Sequence, residues 1–173
     1  MGKSKIEWTD FSWNPAWGCT KVSPGCDRCY AERLTKMQGK DFSEVRLLRH
    51  KLDYPKTIKE PSLFFVNAFS DLFHEEVPPD YRDEIYQVML QCPKHIFQIL
   101  TKRPVEAVRY IQNHLKGDWP PNAWLGVSIE SESYMWRWAQ LSHLQNEPWV
   151  KEDIHLFISF EPLLEEIQKE TLR

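Results

Sequence analysis

The chain has 173 residues, of which 42% are hydrophobic, and a formal net charge of −3. That length and apolar content exclude a disordered tail and allow one domain with a sizeable core. The near-balanced charge excludes a global pull toward nucleic acid or anionic membrane, leaving only local basic patches to consider, and no apolar run is long enough to cross a bilayer. The N-terminal run Met1-Gly2-Lys3-Ser4-Lys5 lacks the apolar core of a secretory signal. The expected compartment is therefore the cytoplasm, where clustered thiols hold metals more often than they pair as disulfides.

In chain order, a short first strand is expected near Lys5–Trp8, followed by a cysteine-rich loop and a helix from about Arg28 to Met37. Residues 40–60 are polar and basic and read as an irregular excursion. Four apolar runs then read as buried strands: Leu63–Asn67, Ile96–Leu100, Trp124–Ile129 and His155–Phe160. They recur at roughly thirty-residue intervals, the length of a strand and its returning helix. Their nearly continuous apolar character suits a parallel sheet covered on both faces. The first intervening helix follows Pro78 and Pro79, with Asp80 as its expected cap and Tyr81, Ile85, Val88 and Met89 at helical spacing. The next opens at Pro104, carries Val105, Val108, Ile111 and Leu115 on one stripe, and stops at Gly117. A third is expected over Glu132–Leu144 and a fourth over Leu163–Leu172. No linker or low-complexity segment divides the chain. The prediction is a single α/β domain over residues 1–173, in which 1–39 supply the cysteine loop and first helix and 61–173 the repeating βα units.

Three of the four cysteines, Cys19, Cys26 and Cys29, follow the spacing C-x6-C-x2-C. Three thiolates can hold three irons of a [4Fe–4S] cluster and leave the fourth open. A closed zinc site needs one more ligand, with His50, His74 and Cys92 as candidates. Spacing alone leaves both metals open. Cys92, at the end of an apolar helical face, reads better as a buried structural thiol, and His74 as a hydrogen-bonded side chain or a proton carrier. Gly18 and Gly25 each precede a cysteine and permit tight turns. Trp8, Trp13 and Trp17 are expected to pack around the loop and exclude solvent.

Polar groups follow every expected strand. Asn67, Ser70 and Asp71 follow the first, and Thr101, Lys102 and Arg103 the second. Ser128 and Glu130 end the third, and Ser159 and Glu161 the fourth. In parallel α/β folds the C-terminal strand ends converge on the ligand-binding face. These groups are therefore expected at one mouth, beside the cysteine loop. Lys102 and Arg103 stand at a helix start, where a phosphate or carboxylate is favoured. The stretch Arg46, Arg49, His50, Lys51, Tyr54, Lys56 reads first as a solvated face and second as a nucleic-acid contact.

Several of these segments together resemble a known family. They are Ile6–Asp10, Trp13–Pro15, Gly18–Thr20, Ser23–Asp27 and Cys29–Ala31, then Ser70–His74, Leu100–Pro104, Trp124–Ser128 and Ser159–Leu164. The run is similar to a phage and bacterial three-cysteine-motif family related to the radical S-adenosylmethionine superfamily. The first cysteine loop is longer than the C-x3-C-x2-C usual in that superfamily. The resemblance implies a partial (βα) barrel of about five βα units and a [4Fe–4S] cluster on Cys19, Cys26 and Cys29. It further implies S-adenosylmethionine at the open iron, with Asn67, Ser70, Asp71, Lys102, Ser128, Glu130, Ser159 and Glu161 as the cofactor-binding set. A 5′-deoxyadenosyl radical would then modify an undefined substrate, for which a phage setting suggests a nucleic acid or nucleotide. Members of that family continue past the Ser159–Leu164 motif. A C-terminal truncation is therefore expected, with an unpaired last strand completed by a missing segment or a partner protein. Reduced stability or oligomerisation would follow. The alternative is a non-catalytic binding module of phage origin, stabilised by zinc or an iron–sulfur cluster and acting with a partner protein.

Overall fold

A computed structural model describes residues 3–151 and 153–168. The chain opens with strand β1 (Phe11–Trp13). A two-stranded antiparallel ribbon, β2 (Ala16–Trp17) with β3 (Arg46–Leu47), then brackets the cysteine loop and helix α1 (Tyr30–Met37). Strands and helices alternate from there: β4 (Leu63–Val66), α2 (Pro79–Gln91), β5 (Ile96–Thr101), α3 (Pro104–Asn113), β6 (Ala123–Ser128), α4 (Trp136–Ser142) and β7 (His155–Ser159). Five strands form one wholly parallel sheet in the order β1-β4-β5-β6-β7. The protein is thus α/β, a five-stranded parallel sheet flanked by helices, and among the described residues β7 has no strand on its outer side. No helix among the described residues is long and apolar enough to cross a membrane.

Alternation along the strands gives the sheet two unlike faces. Phe64 and Val66 of β4, Phe97 and Ile99 of β5, and Leu125 and Val127 of β6 are buried in one core with Tyr81, Ile85 and Met89 of α2, Ala107 and Ile111 of α3, and Leu141 of α4. Phe64 pairs with Phe97 in register, and their rings stack at 5.5 Å. Burying each such side chain contributes about 1.5–3 kcal/mol relative to exposure. The opposite face carries Phe65, Gln98, Leu100, Gly126 and Ser128. No helix of the α2–α4 set covers it by this alternation. Trp8 lies edge-on to Phe65 at 4.8 Å, and its carbonyl accepts from Gln98 Nε2 at 3.4 Å. The ring of Phe157 lies directly over Gly126, where a Cβ would come within 2.6 Å of it.

The four later strands fall where the apolar runs place them. The first does not: residues 5–8 form bends and turns, and the strand is Phe11–Trp13. Its ends are set by side chains that stand in for backbone partners. Asp10 Oδ2 accepts from the Leu63 amide at 2.8 Å, and Asn14 Oδ1 from the Phe69 amide at 3.1 Å. Asp80 does not cap α2; Pro78, extended at ψ 147°, is the N-cap, and Pro79 begins the helix. Helix α3 starts at Pro104 as expected but ends at Asn113, before the left-handed Gly117. Its buried side is Ala107, Tyr110 and Ile111, while Val105 is exposed. The expected helix over Glu132–Leu144 is α4 with a 3₁₀ turn at either end. Residues 163–168 are not helical, and the remainder of the helix expected there lies outside the described residues. That segment instead folds back on the end of β6: the Leu164 amide donates to the Glu130 carbonyl at 2.8 Å.

Candidate functional site

Gly18 positions the first cysteine. It sits at φ +98°, and a Cβ there would lie 2.3 Å from the Glu44 carbonyl oxygen, so only glycine fits. Its amide donates to the Phe69 carbonyl at 2.9 Å, and Ser70 Oγ donates to its own carbonyl at 2.7 Å. The Cys19 amide donates to the Phe42 carbonyl at 2.8 Å. Cys19 is therefore clamped between the loop after β4 and the chain beyond α1. Cys26 rides on a 3₁₀ turn, Pro24–Arg28, and Cys29 is the N-cap of α1. The loop after β4 is held in turn by Asn67, left-handed at φ 60°, whose Oδ1 accepts from the Ala16 amide at 3.2 Å.

All three cysteines are half-buried, free of disulfides, and line one cavity of about 900 Å³. Asn67, Ser70, Asp71, Lys102, Ser128 and Glu161 line it too. The ends of β4, β5 and β6 thus reach the cysteine loop, as the strand-end pattern predicts. Trp8, Phe42, Phe65 and Leu100 supply much of the apolar wall. Glu130 and Ser159 are not among the lining residues. Glu130 is fully buried and ion-paired to the equally buried Arg137 at 2.6 Å. Its other oxygen, Oε1, has no hydrogen-bond partner among the described residues, and the side chain packs against Gly25 of the cysteine loop. Glu130 is thus placed to support the loop from behind. Arg137, which also donates to the Ser128 carbonyl at 2.8 Å, was not legible as a site residue because an Arg on a helix reads as solvated.

A polar network ties Cys19 to the strand ends. Asp71 Oδ1 accepts from the Phe73 amide at 3.0 Å and from Thr101 Oγ1 at 2.8 Å. Asp71 Oδ2 accepts from the Lys102 amide at 3.1 Å and from Arg103 Nη1 at 3.4 Å. Arg103 Nη1 also donates to Cys19 Sγ at 3.5 Å, and Nη2 to the Thr20 carbonyl and Oγ1 at 3.0 and 2.9 Å. Burial, with smaller contributions from Asp71 and Cys26, pushes the Cys19 thiol up to about 11, against the opposing pull of Arg103. His74 is wholly buried; its Nδ1 accepts from the Glu76 amide at 3.1 Å, so Nε2 carries the hydrogen and donates to Thr20 Oγ1 at 2.8 Å. Burial and Arg103 lower its pKa, which keeps it neutral.

These placements bear on which metal the site suits. Among the described residues, no three His, Cys, Asp or Glu side chains stand close enough to share an ion. The three thiols line one cavity. The donor set fits a three-thiolate centre in chemistry. It does not fit a four-ligand zinc site in the same way. Both ring nitrogens of His74 are committed, Cys92 is buried in the core at the end of α2, and His50 is exposed in the 3₁₀ turn after β3.

Two expectations about the surroundings change. Only Trp8 of the three tryptophans lines the cavity. Trp13 is in the helix-side core, and Trp17 stacks on Phe69 at 4.3 Å with Lys40 and Lys51 near its ring. The basic stretch is largely neutralised: Arg46 pairs with Glu44, Arg49 with Glu84, and Lys56 with Asp53.

Residues 3–173 match the family described as protein of unknown function, DUF5131. No curated protein and no solved structure matches the chain.

Proposed function

We propose that this chain, which belongs to the DUF5131 family of proteins of unknown function, is a cytoplasmic iron–sulfur protein that performs S-adenosylmethionine-dependent radical chemistry on a partial (βα) barrel. One observation carries the reading. Three free cysteines share a cavity of about 900 Å³ with the C-terminal ends of three parallel strands. Cys19, Cys26 and Cys29 would hold a [4Fe–4S] cluster and leave one iron without a protein ligand. When bound, such a cluster supplies the electron that splits the sulfonium of S-adenosylmethionine into methionine and a 5′-deoxyadenosyl radical.

The chain's own residues bind and shield. Lys102 lines the cavity and makes no ion pair among the described residues, so its ammonium is available to a ligand carboxylate. Glu161, exposed at the rim, can accept from an amino or hydroxyl group of the same ligand. Trp8, Phe65 and Leu100 exclude water from the reacting end. Of the two substrate classes that the resemblance suggests, a nucleotide suits the site better than a nucleic acid. The basic stretch that would follow a phosphate backbone is already paired with Glu44, Glu84 and Asp53.

A metal-stabilised binding module working with a partner protein is the second reading. It draws on the outer side of β7, which has no strand partner among the described residues. Anaerobic reconstitution separates the two. The first reading expects about four irons and four sulfides per chain, lost in the C19A/C26A/C29A variant, with reductant-dependent release of 5′-deoxyadenosine. Zinc without iron, or a loaded cluster with no 5′-deoxyadenosine, supports the module instead.

A further inference from the structure

We infer that Arg103 is a positioning residue for Cys19 that sets the reduction potential of a cluster held by the three cysteines. The inference rests on the iron–sulfur reading above. At the level of sequence, Arg103 suits a phosphate or carboxylate clamp at the start of α3. The structure spends its donors elsewhere. Nη1 reaches both Cys19 Sγ at 3.5 Å and Asp71 Oδ2 at 3.4 Å, and Nη2 holds the Thr20 carbonyl and hydroxyl oxygens. The Arg103 side chain is only 11% exposed and that of Asp71 8%. Asp71 is itself fixed by Thr101 Oγ1 and by the amides of Phe73 and Lys102. The guanidinium is thus held in place by a rigid strand end while one of its N–H groups points at sulfur.

The arrangement is asymmetric. Cys26 Sγ has the neutral Ser23 Oγ as its neighbour at 3.7 Å, whereas Cys19 has a fixed cation. Reduction adds a negative charge to a cluster, and that charge is shared by the ligating sulfurs. An N–H donor and a positive charge at one sulfur favour the reduced form, and low exposure keeps the effect unscreened. Asp71 opposes it from the other side of the same guanidinium. The planar fork is required, because it meets Sγ, Asp71 and Thr20 at once; a lysine keeps the charge and loses that geometry.

Dye-mediated redox titration of the anaerobically reconstituted protein, followed by electron paramagnetic resonance, tests this. R103Q is expected to keep its iron. Held at the wild-type midpoint, it should show at least a tenfold lower ratio of reduced to oxidised cluster, which is 59 mV for one electron. R103K should shift in the same direction by less, and D71N in the opposite direction. Full iron loading in R103Q with a wild-type midpoint overturns the role of Arg103 and leaves the iron–sulfur reading standing. If wild-type protein takes up no iron, the reading fails and the inference with it. Should R103Q not fold, R103K and D71N decide: midpoints unchanged in both overturn the inference, and shifts of opposite sign support it. A purely structural role for Arg103 predicts lost iron without opposed shifts.

Discussion

The two faces of the sheet follow different rules. On the helix side, Phe64, Val66, Phe97, Ile99, Leu125 and Val127 are all at most 1% exposed and pack in one hydrophobic core, with the buried His95 ring against Phe64 at 5.0 Å. On the other side, Phe65, Leu100 and Ser128 face a cavity, Gln98 keeps a buried Oε1 without a partner among the described residues, and a glycine stands under a ring. The first face spends its residues on stability. The second borders open space, which a protein tolerates where something else has to bind.

Substitutions on each face sharpen that contrast. Phe97→Ala on the helix side should cost about 3–5 kcal/mol in urea unfolding, with metal uptake per folded molecule unchanged. Arg137→Ala should cost a similar amount, about 3–5 kcal/mol, because it leaves the buried Glu130 carboxylate uncompensated. It should also raise the alkylation rate of Cys26, since Glu130 supports Gly25; equal rates in the two proteins would detach the pair from the loop. Gly126→Ala is expected to cost about 1–3 kcal/mol through its clash with Phe157. Lys102→Ala should change stability by less than about 0.5 kcal/mol and, on the function proposed above, weaken S-adenosylmethionine binding by calorimetry. A large stability loss there would mean that the cavity side is as tightly built as the helix side.

The pH dependence of the metal-free protein probes the same cavity wall. Folding raises the Cys19 thiol from about 8.5 in an unfolded chain to about 11. The folded state therefore keeps a proton that the unfolded state releases. The associated stability is fully present below about pH 8.5 and is lost as pH rises through about 11. Urea midpoints should fall faster with pH in wild-type protein than in C19S over that window. Parallel curves would place the Cys19 sulfur in water.

Much of this was legible in the chain. Four strands, the Pro104 helix start and the cavity position of Asn67, Ser70, Asp71, Lys102, Ser128 and Glu161 follow from apolar runs and from the polarity of strand ends. The failures share a cause: a side chain that replaces a backbone interaction, or that pairs over a distance, leaves no periodic trace. Residues 5–8 alternate like a strand, but Trp8 packs over Phe65 while Asp10 and Asn14 fix β1 further along. Glu130 sits at a strand end like Glu161, yet Arg137 seven positions later draws it into the interior. Arg103 had the composition of an anion clamp, and only the position of Asp71 and Cys19 shows that its donors are occupied.

The ring of Phe157 over Gly126 carries a consequence for how this family varies. A side chain at 126 and a benzyl group at 157 claim the same space on neighbouring strands. Bulk is therefore expected to be exchangeable between the two positions but not addable to both. Phe157→Leu should be neutral-to-costly alone and restorative beside Gly126→Ala, and DUF5131 members that carry alanine or larger at 126 should be those with a smaller residue at 157.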